Sequence, residues 1–160
     1  MREQISPVAP PLRLQSALEL GEWRDRELPP GAWTSVTQDD VARFVALTGD
    51  RNRIHTAEAG GSDKSGAWRP VVPGQLLLAL IPGLLQALYV VEAGHGVVAG
   101  LRAVRFRLPV HPGDEFRLRA RILRVRQHPA FVQVETDCLL ELANGRSAMT
   151  SQRTDLFYPG

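Results

Sequence analysis

The chain contains a single cysteine, Cys138, among its 160 residues. One cysteine excludes an intramolecular disulfide bond and a cysteine-rich metal site, and it gives no sign of an oxidising compartment. The N-terminal sequence MREQISPVAPPLRLQ lacks the continuous apolar stretch of a secretory signal peptide. We therefore expect a cytoplasmic protein.

A strong excess of either charge is also missing, because the formal net charge is only +2. Arginines cluster between Arg102 and Arg126, but this bias is too weak to indicate a nucleic-acid-binding protein. A hydrophobic content of 44% and a charged content of 22% are ordinary for a globular protein. We predict an N-terminal arm over residues 1–30 and one folded domain over residues 31–160.

The segment Val71–Val91 has no charged residue and is long enough to span a bilayer. Prolines and glycines interrupt it, however, and no basic cluster flanks it closely. A helix that is buried on all sides in a folded core is equally apolar, and the strands that follow need such a core. We therefore expect no membrane segment. We predict a buried helix over Gly74–Val91, kinked at Pro82 because proline removes one backbone hydrogen bond.

The C-terminal half alternates apolar and polar residues in four stretches that turn sequences separate, a pattern typical of strands. The predicted strands are Val97–Leu108, Asp114–Gln127, Phe131–Ala143 and Arg146–Phe157. In the second of them the alternation shifts by one residue near Ile122–Leu123, which indicates a β-bulge. Together these patterns predict an α+β fold in which an antiparallel sheet wraps around the buried helix.

The N-terminal half predicts a shorter set of elements. Leu18–Glu27 fits either a short helix or an edge strand, and Gly31–Val36 predicts a short strand. Thr37 is a candidate N-cap, and Asp40 three residues later completes a capping box. The helix that starts there should end at Gly49, a residue that adopts the left-handed conformation typical of helix ends.

Asp50 and His55 follow directly after this helix. On a regular helix their side chains would point about 140° apart, so they converge only if the backbone leaves the helix, which Gly49 allows. Once together, a carboxylate and an imidazole form an acid–base pair that works near neutral pH. Spacing alone fits a polar loop with a surface histidine at least as well, so both interpretations stay open.

The start of the buried helix is the second candidate site. A helix N-terminus presents unpaired N–H groups, and a glycine allows close approach, so the Gly74 N–H is a candidate oxyanion donor. A simple helix-start glycine is the alternative. The preceding residues 56–69 predict a mobile loop anchored by Trp68.

Three segments together resemble the MaoC-like (R)-specific enoyl-CoA hydratase and dehydratase family. They are VTQDDVARFVALTGDRNRIH, RPVVPGQLLLALIPGLL and VRFRLPVHPGDEF, in the family's order and at close to its spacing. The resemblance runs from Trp33 to Asn144. It implies the hot-dog fold, an antiparallel β-sheet wrapped around a long central helix. It also implies reversible hydration of trans-2-enoyl thioesters to (R)-3-hydroxyacyl thioesters, a reaction of fatty acid metabolism.

The resemblance also implies residue roles. In the family the aspartate and histidine of a D-x-N-P-x-H motif are the catalytic pair, which corresponds to Asp50 and His55 here. The glycine at the helix start, whose N–H polarises the thioester carbonyl, corresponds to Gly74. The positions that we expect to bind substrate are Asn52, Pro73, Gln75 and Arg105.

The chain departs from the family pattern at three positions. Arg53 replaces the proline of the loop motif, Pro73 replaces the histidine that usually precedes the helix glycine, and Pro82 replaces a small polar residue within the helix. None of these changes removes a catalytic group. They bear on which substrate is used and how efficiently.

The resemblance implies a homodimer that needs no metal or organic cofactor. Its substrate would be a thioester of coenzyme A or of an acyl carrier protein. Arginines 102, 105 and 107 fit either a solvated strand edge or contacts to phosphate groups of such a carrier. Two other functions remain open at this point, a hot-dog thioesterase and a non-catalytic acyl-thioester-binding subunit. The remaining histidines lie in turns and connections, and none has metal-site spacing.

Overall fold

A computed structural model of the chain describes residues 9–56 and 68–160. Most of the predicted mobile loop over residues 56–69 therefore lies outside the described residues. The elements in chain order are β1 (Leu12–Leu14), a 3-10 helix (Ala17–Trp23), α1 (Gln38–Thr48), a 3-10 turn (Arg53–His55), α2 (Gly74–Gln86), β2 (Tyr89–Val91), β3 (His95–Phe106), β4 (Phe116–Gln127), β5 (Val132–Leu142) and β6 (Ser147–Tyr158).

The four predicted strands are confirmed as β3 to β6, which form one antiparallel sheet in the order β3-β6-β5-β4. The predicted β-bulge is confirmed as well, because the register of β4 against β5 shifts between Ile122 and Arg124. The α+β class and the hot-dog arrangement follow from this sheet and the helix that it covers.

The prediction of a helix over Gly74–Val91 is wrong at its C-terminal end. Helix α2 stops at Gln86, and Tyr89–Val91 forms β2, which pairs in parallel with β1. The sequence Tyr-Val-Val has high strand propensity, and pairing with Leu12–Leu14 satisfies its backbone groups. No helix in the described part of the chain is both long enough and apolar enough to cross a membrane.

Helix α2 and the sheet form the hydrophobic core. The buried side chains at the centre of this contact are Leu77, Ile81 and Leu85 of α2 with Phe116, Leu118, Ile122, Val134 and Leu140 of the sheet. The helix contributes them at intervals of four residues, so they share one face. Each contributes about 1.5–3 kcal/mol relative to an exposed position, so burial of these side chains stabilises the packing of α2 on the sheet.

The segment before residue 31 packs onto this core. Ser16 and Glu19 form a capping box at the start of the 3-10 helix, and Leu20 is completely buried. The open choice for Leu18–Glu27 is therefore resolved as a 3-10 helix that ends at Trp23. The part of the arm that the structure describes is held in place by β1 pairing and by burial of Leu14.

The predicted strand over Gly31–Val36 is wrong. Only Thr34 forms a β-bridge there, with Phe116 of β4. Two prolines at positions 29 and 30 precede the segment and lack the N–H groups that a continuous ladder requires. The segment instead follows the edge of β4 through separate backbone hydrogen bonds, including Gly31 N–H to Leu118 O at 3.0 Å.

Helix α1 begins and ends as predicted. The Thr37 hydroxyl accepts from the Asp40 N–H, and the Asp40 carboxylate accepts from the Thr37 N–H at 2.9 Å. Gly49 ends the helix in the left-handed conformation, with a φ of 71°. Hydrogen bonds from Thr37 lower the pKa of Asp40 below its ordinary value.

We predict that Thr37→Ala lowers the free energy of unfolding by about 1 kcal/mol, because it removes a helix cap. Urea denaturation followed by circular dichroism measures this change. Thr48→Ala, which removes a hydroxyl from the last turn of α1, is the control and should cost less.

A folded-state pKa that is lowered stabilises the protein above the ordinary carboxyl pKa, and this effect is lost as pH falls through the lowered value. In Thr37→Ala the free energy of unfolding should therefore fall less as the pH is lowered than it does in the wild-type protein. The same pH dependence in both proteins would contradict the capping role.

Candidate active site

The turn after α1 brings Asp50 and His55 together. The Asp50 carboxylate accepts from the Asn52 N–H at 2.9 Å, and the Asn52 side-chain oxygen accepts from the Ile54 N–H at 3.3 Å. These two local bonds hold the chain in a tight turn after the left-handed Gly49. The backbone thus leaves the helix at the residue where the sequence predicts it.

His55 Nε2 lies 3.5 Å from Asp50 Oδ2. The His55 side chain is 8% exposed, whereas that of Asp50 is 36% exposed, so the imidazole is held in the protein and the carboxylate faces the opening. This distance is longer than a good hydrogen bond, as is common in catalytic pairs without substrate. The two groups are close enough to act on one small molecule together.

The other imidazole nitrogen fixes the tautomer. His55 Nδ1 lies 2.6 Å from the Val71 carbonyl oxygen. A carbonyl only accepts hydrogen bonds, so Nδ1 carries a proton, and in the neutral form of the ring Nε2 is an acceptor. Nε2 and the Asp50 carboxylate are then two acceptors side by side. One water molecule beside the pair can direct one O–H bond at each of these acceptors.

The carbonyl that binds His55 belongs to a segment that is itself held in place. Two contacts fix its beginning: the ion pair of Arg69 Nη2 with Asp114 Oδ1 at 2.7 Å, and the hydrogen bond from His111 Nδ1 to Pro70 O at 2.8 Å. We refer to these two contacts as the entry clamp. Burial alone would raise the pKa of Asp114, but hydrogen bonds from Arg69 and from the His111 N–H outweigh it and lower that pKa.

The Asp50–His55 pair opens into a cavity of about 480 Å³, the site cavity, which the start of α2 also lines. Its lining includes Asp50, Asn52, His55, Gly74, Gln75, Leu77, Phe106 and Arg107. The structure therefore brings the acid–base pair, two of the four expected substrate-binding residues and the helix start around one space.

Two of the expected substrate-binding residues are placed differently. Pro73 and Arg105 do not line the site cavity. Arg105 pairs with Thr150 in the register of β3 against β6, and its guanidinium binds the Val104 carbonyl. Its neighbour Arg107 lines the cavity instead.

Gly74 has two properties that matter for the site: a backbone N–H at the helix start and no side chain. As the first residue of α2 it has no helical acceptor for its N–H, and its N-cap Pro73 makes no side-chain cap. A Cβ at this position would come within 2.6 Å of Phe106 Cε1. The close approach of the aromatic ring therefore requires glycine, and the same approach places an apolar wall beside the N–H.

Sequence reasoning missed the entry clamp and Phe106. His111 lies beside a proline and a glycine, a context that indicates only a turn. Its partner Pro70 is 41 residues away, and Arg69 is 45 residues from Asp114. The local sequence showed only that Arg69 precedes a proline and that Asp114 ends the turn that follows His111.

Comparisons with known proteins find relatives similar in sequence and in structure. The chain is 29% identical over 142 residues to 3-hydroxyacyl-thioester dehydratase Z of Mycobacterium tuberculosis, covering 88% of this chain and 83% of that protein. The structure is similar to an (R)-hydratase from A. caviae involved in PHA biosynthesis, with a TM-score of 0.64, 25% identity, and coverage of 80% and 96% of the two chains.

A third relative shows the shared fold alone. It is the C-terminally truncated HadBC (3R-hydroxyacyl-ACP dehydratase) complex of Mycobacterium tuberculosis, with a TM-score of 0.65, 19% identity, and coverage of 84% and 96%. The family model described as MaoC like domain matches residues 5–142, which is most of the chain. The protein therefore belongs to the MaoC-like domain family.

Proposed function

We propose that the protein hydrates trans-2-enoyl thioesters to (R)-3-hydroxyacyl thioesters, or dehydrates them in the reverse direction. The observation that carries the proposal is the pair of acceptors, His55 Nε2 and Asp50 Oδ2, 3.5 Å apart in a cavity that the N-terminus of α2 also lines. The names of the M. tuberculosis and A. caviae relatives describe the same chemistry. The substrate would be carried by coenzyme A or by an acyl carrier protein.

In the hydration direction, His55 and Asp50 bind the attacking water. One of them takes a proton from the water as its oxygen forms a bond to C3, and the electron pair of the C2–C3 double bond moves toward the thioester carbonyl. The Gly74 N–H stabilises the developing negative charge on that carbonyl oxygen. The pair then returns the proton to C2, which completes the addition of one water.

The remaining site residues position the substrate. Asn52 shapes the turn that carries the pair, and Gln75 offers an amide at the cavity wall next to the helix start. Pro73 supplies the carbonyl that accepts from the first bonded N–H groups of α2, which orients that terminus. Arg105 is exposed on β3 and would contact phosphate groups of the carrier outside the cavity.

The decisive experiment follows enoyl absorbance and free thiol together on crotonyl-CoA and its longer homologues. Hydration consumes the enoyl group and leaves the thioester intact, so absorbance should fall while no thiol appears. Release of thiol at the same rate would instead indicate a thioesterase. No change in either signal, with binding retained, would indicate an acyl-thioester-binding subunit.

Replacing Asp50 with Asn or His55 with Ala should lower the hydration rate at least about 100-fold, because each change removes one of the two acceptors for the water. The Tm of Asp50→Asn should change little, since Asp50 is exposed, whereas His55→Ala removes a buried ring bonded to the Val71 carbonyl and should lower the Tm more. His128→Ala, at a histidine stacked on Phe131 in the turn between β4 and β5, is the matched control. Retained activity in both site variants would rule out the proposed mechanism.

The entry clamp should act on activity through His55. Arg69→Gln weakens the hold on the segment whose Val71 carbonyl orients the imidazole, so we predict that kcat falls about tenfold while KM changes less. Arg69→Lys should restore part of the rate. Arg43→Gln, which removes an exposed ion pair with Asp39 on α1, is the control. A rise in KM alone would show that Arg69 binds substrate directly.

We also propose that the protein is a homodimer joined along β3. This strand is an edge of the sheet and presents Val97, Val98, Leu101 and Phe106, each 44–52% exposed. An open apolar edge of this kind is a common site of self-association. Pairing of β3 with its copy around a two-fold axis would continue the sheet and cover these side chains.

Light scattering at micromolar concentration should therefore give the mass of two chains. Val98→Lys combined with Leu101→Lys should shift the protein toward one chain, because the two lysines place like charges on both sides of the two-fold axis. Leu47→Lys is the control, at an apolar residue that is 86% exposed on α1. A wild-type protein that elutes and scatters as one chain would contradict the dimer.

A further inference from the structure

The inner face of β6 carries charged residues in the middle of the core. Arg153 and Asp155 occupy alternate positions on this strand and are 8% and 3% exposed. On the neighbouring strand β5, Val134 lies opposite Asp155 and the buried Thr136 lies opposite Arg153, and Leu85 of α2 lines the same region. The pair therefore lies in a largely apolar region whose polar neighbours are the buried hydroxyl groups of Thr136 and Ser151.

Stability does not explain this pair. The two Asp155 oxygens accept three hydrogen bonds, from Arg153 Nε at 2.7 and 2.9 Å and from Nη2 at 2.7 Å. A buried pair of this kind is usually no more stabilising than two apolar residues of the same size. Among the residues that the structure describes, Arg153 Nη1 donates no hydrogen bond. A donor of the guanidinium is therefore left for another molecule.

Both residues line a cavity of about 440 Å³, the second cavity, which lies at the C-terminal end of α2. Pro82, Leu85 and Phe157 form apolar parts of its wall. Tyr89 lines it as well, and burial raises the pKa of this phenol, so the hydroxyl keeps its proton and can donate. The volume lies within the range of small-molecule sites, about 300–1,000 Å³.

The chemistry of the wall selects a ligand class. The ion pair has no net charge, so a buried carboxylate would lack a counter-ion. A plain alkyl chain would fill the space but leave the donors of Arg153 and Tyr89 without acceptors. An apolar chain that carries a neutral oxygen, a hydroxyl or a carbonyl, fits both the apolar wall and the donors.

The second cavity is separated from the site cavity of the same chain. Leu77 lines the site cavity and Leu85 lines the second cavity, while Ile81 between them is 1% exposed and lines neither. Antiparallel pairing of β3 with its copy, however, places the His95 end of one strand beside the Phe106 end of the other. Paired strands lie about 4.8 Å apart, so one chain's second cavity then adjoins its partner's site cavity.

We propose that the second cavity binds the far end of the acyl chain of a substrate held in the partner's site cavity, and that Arg153 and Tyr89 select chains oxygenated there. This inference rests on the proposed hydratase function and on the β3 dimer. It makes Arg153 and Asp155 of one chain specificity-determining residues for the reaction of the other.

The test compares two series of 2-enoyl-CoA thioesters of increasing length, one with plain alkyl chains and one with a hydroxyl group at the far end. Wild-type protein should show a higher kcat/KM for the hydroxylated member once the chain reaches the second cavity. The double variant Arg153→Met with Asp155→Leu removes both charges, so no unpaired charge is buried. It should lose about tenfold in kcat/KM on that hydroxylated substrate and lose little on the plain chain of equal length.

Arg13→Met with Glu92→Leu is the matched control, since it removes an exposed arginine–glutamate pair between β1 and β2. Equal losses on both substrate series in the Arg153 variant would overturn the proposal. If wild-type protein hydrates no thioester, the proposed function fails. Calorimetric binding of saturated and hydroxylated acyl-CoA then tests the second cavity by itself, and equal affinities would overturn the proposal there too.

Mixed dimers test whether the second cavity of one chain binds the substrate held in the site cavity of its partner. One chain carries Asp50→Asn and an intact Arg153, and its partner carries an intact Asp50 with the Arg153→Met and Asp155→Leu changes. The only active site then faces an intact second cavity across the interface, so the preference for the hydroxylated chain should persist. Loss of the preference in this dimer would show that the pair acts on its own chain, which would overturn the arrangement.

Discussion

The hydrogen bond from His55 Nδ1 to the Val71 carbonyl is the contact on which the site depends. It joins the turn after α1 to the segment that leads into α2, two parts of the chain that are 16 residues apart. The bond fixes the tautomer of the imidazole, directs Nε2 toward Asp50, and sets the position of the helix start relative to both. A donor in place of that carbonyl would reverse the roles of the two ring nitrogens.

The hydrophobic core fixes the position of one side of this contact. Helix α2 is apolar on its inner face and is anchored on the sheet through Leu77, so its N-terminus is fixed at the border of the core. The unpaired N–H groups of that terminus face the site cavity, where Phe106 forms a wall. The helix end offers N–H donors to this cavity, and the burial of the rest of the helix keeps them in place.

The sequence predicts local features well because each has a local cause. The capping box of Thr37 and Asp40, the left-handed Gly49 and the β-bulge after Ile122 all depend on neighbouring residues, and all are confirmed. The predicted C-terminal end of α2 was wrong because the strand that follows the helix pairs with Leu12–Leu14, which is far away in the chain. The entry clamp could not be predicted from the sequence for the same reason, because its partners come together only when the chain folds.

The chain covers the part of one sheet edge from Phe116 to Ile122 and leaves the other edge open. Backbone groups of residues 28–34 follow β4 from Ala120 to Phe116, and the prolines at 29 and 30 offer no N–H to an incoming strand. The edge formed by β3 has no such cover among the described residues. A sheet with a single open edge can join one copy of itself but cannot be extended further. The covering segment therefore works against growth into fibres through edge-to-edge pairing at this part of β4.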